Sequence, residues 1–169
     1  MQVAKFTNTN YLPILNAVLL TDILVIILLL TGFITSNVLK KWYRNYNLSA
    51  VIADVLIIVI GIIAARWVYS HFFTSFSLWK FVIVAVMIQI IHDLSFYWIV
   101  THIPRGKSAI IDIFKNYGRE SGFKSVLADS GMMIMSCLLA YYFSSLSLNT
   151  NIILLIIYVY LVPYLIYSV

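Results

Sequence analysis

Five long apolar runs separated by short polar loops dominate this chain, at residues 11–34, 48–70, 78–100, 125–143 and 152–167. A helix rises about 1.5 Å per residue and the hydrocarbon core of a bilayer is about 30 Å thick, so about 20 apolar residues make one crossing. Over 169 residues the chain is 63% hydrophobic and 10% charged, with mean hydropathy +0.99. That surplus of apolar surface cannot be hidden in a soluble core of this size. The expected fold class is all-α, a polytopic transmembrane bundle of about five helices in a single domain. The fifth run is short and carries Pro163 near its end, which leaves a full crossing or a tilted, kinked or packed segment open. The first run is too long for a cleaved leader and carries Asp22, with no basic region ahead of it beyond Lys5. A single cysteine, Cys137, excludes an intramolecular disulfide and any CxxC redox or zinc site.

The runs are organised by an internal repeat. Residues 39–54 match residues 114–129 at an offset of 75, with Lys40/Lys115, Arg44/Arg119, Val51/Val126, Ala53/Ala128 and Asp54/Asp129 identical. Leu39/Phe114, Trp42/Tyr117, Leu48/Phe123 and Ile52/Leu127 are alike. Leu19-Leu20-Thr21-Asp22 also matches Ile90-Ile91-His92-Asp93 at an offset of 71, which puts four extra residues near Pro104-Arg105-Gly106-Lys107. The expected organisation is two tandem parallel hairpin repeats, about 11–70 and 78–143, followed by a C-terminal helix at about 152–167. The spacing of small residues (Gly61 and Ala65 after Asp54, Ser136 and Ala140 after Asp129) predicts that the second and fourth spans form the inner pair.

Basic residues set the orientation. Lys40, Lys41 and Arg44 lie in the loop after the first run; Arg105, Lys107, Lys115, Arg119 and Lys124 lie in the loop after the third. Against these the other side holds Lys5 and Lys80, with Arg66 near the end of the second span. Lys/Arg bias in short loops places both basic loops in the cytoplasm and the N-terminus on the far side. Within the second basic loop Pro104 and Gly106 make a turn and Ser108 caps a helix. Ile110, Ile113, Phe114 and Tyr117 then fall on one face, as in a short amphipathic helix lying on the bilayer surface. The expected partners are the bilayer, its anionic headgroups and other membrane-associated proteins, with self-association a further expectation; nothing points to specific nucleic-acid binding.

Four aspartates lie inside the spans: Asp22, Asp54, Asp93 and Asp129. Each costs about 2.5–3.5 kcal/mol near a helix centre, against about 0.3–0.6 returned by one Leu or Ile. Such residues face the bundle interior and are functional by default. Asp54 and Asp129 stand near the start of their helices, where structural pairing and the helix dipole favour them. Asp22 is expected to be either protonated or paired, and Arg66, the one basic residue well inside a helix, is a candidate whose long stem could reach it. Gln89, His92 and Asp93 share a face and form either a hydrogen-bond network or a proton relay. Trp42, Tyr43, Trp67, Trp79 and Trp98 read as an aromatic belt. No nucleophile elbow, HExxH or metal-ligand pattern is present, so neither enzyme activity nor a cofactor is expected.

The segments Tyr11-Leu12-Pro13-Ile14-Leu15-Asn16-Ala17-Val18-Leu19-Leu20-Thr21-Asp22, Leu39-Lys40-Lys41-Trp42-Tyr43 and Leu48-Ser49-Ala50-Val51-Ile52-Ala53-Asp54 resemble a small membrane-protein family of large nucleocytoplasmic DNA viruses, the algal and giant viruses among them. The similarity continues through Ile91-His92-Asp93, Pro104-Arg105-Gly106-Lys107 and Leu127-Ala128-Asp129. The resemblance implies a structural protein of the virion's internal membrane and of host endomembranes, in contact with capsid or other membrane proteins. The alternative is a small channel or proton-coupled transporter using Asp22, His92 and Asp93. The orientation is testable by cysteine labelling: residues introduced at positions 8 and 45 are expected to react from opposite sides, and labelling from one side overturns it.

Overall fold

The computed structural model describes residues 10–169; Lys5 and labelling position 8 lie outside the described residues. Seven helices follow one another, with no strand among the described residues. They are α1 (Leu12–Leu30), α2 (Asn37–Tyr46), α3 (Leu48–Phe72), α4 (Leu78–His102), α5 (Ala109–Ser121), α6 (Phe123–Phe143) and α7 (Leu148–Ile166). Five of them, α1, α3, α4, α6 and α7, are long and apolar enough to cross a membrane. The protein is thus an all-helical integral membrane bundle. At 19 residues α7 has the length of a full crossing, and Pro163 stands inside its last turns.

The two short helices α2 and α5 share the basic end of the bundle. α5 is the amphipathic helix expected from the sequence. The Ser108 hydroxyl accepts from the Ile111 amide at 3.5 Å, and Asp112 stands in the first turn, where the helix dipole favours a negative charge. α2 was not anticipated. The Ser36 hydroxyl caps it by accepting from the Leu39 amide at 3.1 Å, and its apolar edge is Leu39, Trp42, Tyr43 and Tyr46. A single residue of positive φ joins each short helix to the next span: Asn47 (φ 48°, ψ −125°) before α3 and Gly122 (φ 52°, ψ −130°) before α6. These two residues are themselves 75 positions apart, so the repeat preserves the bend as well as the sequence. Only Gly, and less readily Asn, takes such a φ without severe crowding.

The centre of the bundle differs from the expected one. α1 packs against α3, α6 and α7, and α4 packs against α3 and α6, while α3 and α6 meet only marginally. The second and fourth spans are therefore not the inner pair; α1 takes that place. The reason lies in its polar residues. Asn16, Thr21 and Asp22 are all fully or nearly buried, along with Ile14, Ala17, Val18, Ile23, Ile26 and Leu29. A helix carrying polar groups around its circumference needs protein on every side, because lipid offers them no partner. Of the small-residue stripe on α6, Ser136 faces α1 and donates to Thr21 Oγ1 at 3.1 Å.

α3 and α6 come together at one point. A β-carbon added at Gly61 would stand 2.9 Å from the Met133 methyl and 4.0 Å from Gln89 Oε1. Met133 is fully buried there, a flexible side chain filling the space the glycine leaves. Gly61→Leu is expected to lower stability by about 1–3 kcal/mol through overpacking, read as thermal unfolding in detergent. Gly131→Leu, where nothing lies within 4 Å, is the matched control expected to leave the unfolding temperature unchanged.

Candidate functional site

The four intramembrane aspartates come from four different helices and reach a similar depth. Asp22 lies eight residues before the end of α1, Asp54 six after the start of α3, Asp93 nine before the end of α4, and Asp129 six after the start of α6. All four ends are those that carry α2 and α5. At about 1.5 Å per residue the carboxyls stand roughly 9–14 Å inside the bundle. They also sense one another: Asp54 lies within electrostatic reach of Asp22, and Asp129 within reach of both Asp93 and Asp54.

α2 roofs this cluster. Trp42 Nε1–H points at both oxygens of Asp54, at 3.2 and 3.0 Å, and the Tyr43 hydroxyl donates to Asp22 Oδ1 at 3.0 Å. Trp42 is 6% exposed, Tyr43 1% and Asp22 0%. Trp42 and Tyr43 are thus not members of the interfacial belt. They are the donors that the buried Asp22 and the part-buried Asp54 need, carried in on a helix whose opposite edge is basic. Trp67, Trp79 and Trp98 do face outward, as belt residues should.

An aromatic run connects the roof to the far side of the cluster. Trp42 lies 5.0 Å from Phe114 of α5, Phe114 meets Phe96 of α4 edge-on at 5.0 Å, and Phe96 stacks on His92 at 6.0 Å. On α4 the expected face is assembled: Gln89 Nε2 donates to Asp93 Oδ1 at 2.6 Å, and His92 Nδ1 stands 3.3 Å from the same oxygen. Tyr117 of α5 is part-buried beside the cluster. Burial, and next the charge of Asp129, push its hydroxyl up to about 12, so it remains a neutral donor. Burial and the neighbouring carboxyls likewise hold the Tyr43 hydroxyl well above the ordinary tyrosine range.

Arg66, the candidate partner of Asp22, stands elsewhere, and Asp22 accepts from Tyr43 instead. Arg66 sits 5.7 Å over the ring of Tyr11, toward the opposite end of the bundle. It lies twelve residues beyond Asp54 on α3, or about 18 Å along the axis, too far for its stem to return to the depth of Asp22. The basic residues divide by role. Lys40, Lys41, Arg44, Lys107 and Arg119 are exposed, whereas Arg105 donates to Asn116 Oδ1 at 3.1 Å and Lys115 Nζ donates to the Ile103 carbonyl. The bonds of the last two fasten α5, Arg105 being exposed as well.

A second polar clamp escaped the sequence reading. Asn16 Nδ2 donates to the Asn151 carbonyl at 2.8 Å and to its Oδ1 at 3.1 Å; Asn151 Nδ2 in turn donates to the Phe143 and Ser147 carbonyls. The available signal was one amide inside the first apolar run and another at the edge of the fifth, but no rule of spacing pairs residues 135 positions apart. Among the described residues no group of three His, Cys, Asp or Glu side chains is arranged to hold a metal ion.

No family model, curated protein or solved structure matches this chain.

Removing one donor from the cluster leaves a part-buried carboxyl inside the bundle short of a bond. Trp42→Phe keeps an aromatic ring but strips the N–H from Asp54, and is expected to cost about 1–3 kcal/mol. Trp98→Phe, on the outward face, is expected to leave thermal unfolding unchanged. Equal behaviour of the two variants would remove the clamp from the account of stability.

Proposed function

We propose that the chain is a structural multi-pass protein of a viral particle, anchored in its internal membrane and in host endomembranes, with its basic end turned toward capsid or other membrane proteins. The observation that carries this reading is the use made of the buried polar groups. Tyr43–Asp22, Trp42–Asp54, Ser136–Thr21 and Asn16–Asn151 each tie one helix to another, as a scaffold requires. The resemblance of the segments around Asp22, Asp54, Asp93 and Asp129 to the virus membrane-protein family supports the setting. The exposed Lys40, Lys41, Arg44, Lys107 and Arg119 offer attraction to anionic headgroups or acidic protein faces.

A small channel or proton-coupled transporter is the second reading, favoured by the half-exposed His92 beside Asp93 and by Asp93 Oδ2, which has no hydrogen-bond partner among the described residues. Asp93→Asn separates the two, because an amide keeps the size and an acceptor oxygen but cannot exchange a proton. The scaffold reading expects wild-type protein in liposomes to show no flux driven by a pH gradient, Asp93→Asn to stay folded, and Asp93→Leu to lose stability. A flux that disappears in a folded Asp93→Asn variant overturns it. Cross-linking mass spectrometry on intact particles is expected to join Lys40, Lys41 or Lys107 to capsid or neighbouring membrane proteins.

A further inference from the structure

α4 lies at the edge of the bundle, packed on α3 and α6 with α5 over its end, and is the least buried of the five spans. Its outward side carries two hydrogen-bonding groups at membrane depth. His92 stands ten residues before the end of α4, roughly 15 Å in and so close to the midplane of a core about 30 Å thick. Its side chain is 39% exposed. Nδ1 faces Asp93 Oδ1 at 3.3 Å and the ring stacks on Phe96, while Nε2, across the ring, has no partner among the described residues. Ser95 follows one turn later, exposed on the same flank.

A hydroxyl inside a span can be satisfied by a carbonyl of its own helix, as those of Thr21 and Thr101 are. Ser95 makes no such bond among the described residues, and acyl chains offer neither it nor His92 a partner. Other outward faces make the contrast. α3 turns Leu56, Ile60 and Ile63 outward, and on α7 the exposed Tyr164 hydroxyl donates to that of Tyr160 at 3.0 Å. The surface around Ser95 is also hollow: its small side chain lies in an open groove of about 460 Å³ with Leu94, Trp98 and Ile99.

We propose that this face of α4 is the contact between two copies of the chain, which cross at Ser95. Two copies inserted the same way are related by a twofold axis along the membrane normal, so each residue meets groups near its own depth. Such a face pairs with itself when its donor and acceptor stand at nearly one depth, as His92 and Ser95 do. A serine hydroxyl both donates and accepts, and Nε2 does one or the other by tautomer. Ser95 of each copy therefore serves His92 of the other in either tautomer. The small Ser95 lets the two backbones approach closely, and Ile91, Leu94 and Trp98 of each copy pack around the crossing. A different membrane protein would need the same polar pattern at the same depth, whereas a second copy carries it by construction. The contact rests on the membrane class of the bundle and not on the scaffold reading, whose failure leaves it untouched.

Disulfide cross-linking of the full-length protein in liposomes tests the contact. The native Cys137 is fully buried, so the wild type is expected to stay a single chain under oxidant. Ser95→Cys is expected to give a covalent dimer, whereas Ile60→Cys and Ile156→Cys, exposed at mid-span on α3 and α7, are not. Energy transfer between copies labelled with donor or acceptor dye, followed as lipid dilutes the protein, measures the association itself. Ser95→Leu fills the groove and removes the hydroxyl on an outward face, so the thermal unfolding of the bundle is expected to be unchanged. Its association is expected to weaken by roughly tenfold, the equivalent of one good interhelical contact. Energy transfer no greater than random proximity in the wild type, cross-linking at Ile60→Cys or Ile156→Cys equal to that at Ser95→Cys, or undiminished association of a folded Ser95→Leu variant overturns the contact. In native membranes, adducts of Ser95→Cys with a different protein and none with itself overturn it as well.

Discussion

A carboxyl carried into hydrocarbon must find hydrogen-bond donors there, and the arrangement of this bundle follows from that need. Four of the five spans bring an aspartate to a similar depth. Acyl chains offer no hydrogen-bond donor, so the donors must come from the protein. The chain supplies them by folding a short helix back over the cluster: α2 places Trp42 on Asp54 and Tyr43 on Asp22. Both side chains suit the task, since each presents a large apolar body to the core and a single polar tip to the acid. The basic edge of α2 is thereby left facing away from the bundle. Docking of α2 and display of Lys40, Lys41 and Arg44 are two sides of one amphipathic helix.

The outside of the bundle obeys the opposite rule. Ile52, Ile60, Ile83, Ile91, Ile153 and Ile156 are all exposed on the spans, where a soluble protein would hide them. In lipid they cost nothing, because acyl chains are as apolar as they are. Association of the helices therefore cannot come from hydrophobic burial alone. It rests on close approach at Gly61, where Met133 fills the gap, and on the bonds Ser136–Thr21 and Asn16–Asn151. These join α1 to α6 and α7, which explains why the helix richest in buried polar groups is the central one.

The two matching stretches, 39–54 and 114–129, each run from a short helix into a span, but they differ at their roofs. Asn47 and Gly122 preserve the same bend. Trp42 of the first copy is a buried donor, whereas its counterpart Tyr117 in the second is only partly enclosed. α5 is anchored instead by the Lys115 bond to the Ile103 carbonyl and by the close approach of Gly118 to the Tyr97 ring, where an added β-carbon would meet that ring at 3.1 Å. One copy roofs the acids closely, and the other lies more openly at the basic end.

Sequence alone determined the membrane class, the five spans, the amphipathic α5 and the aspartates as the polar residues of consequence. Each is a local property: the length of an apolar run, the period of a helix face, the cost of one charge in lipid. Tertiary structure decided which groups meet. Asp22 takes Tyr43 rather than Arg66, α1 rather than the α3–α6 pair fills the centre, and Trp42 is a buried donor rather than an interfacial anchor. Residues far apart in sequence, such as Asn16 and Asn151, become partners only once helix directions and rotations are fixed. Those depend on the sum of many weak packing contacts in a solvent that does not discriminate among apolar faces, and no single stretch of sequence encodes that sum.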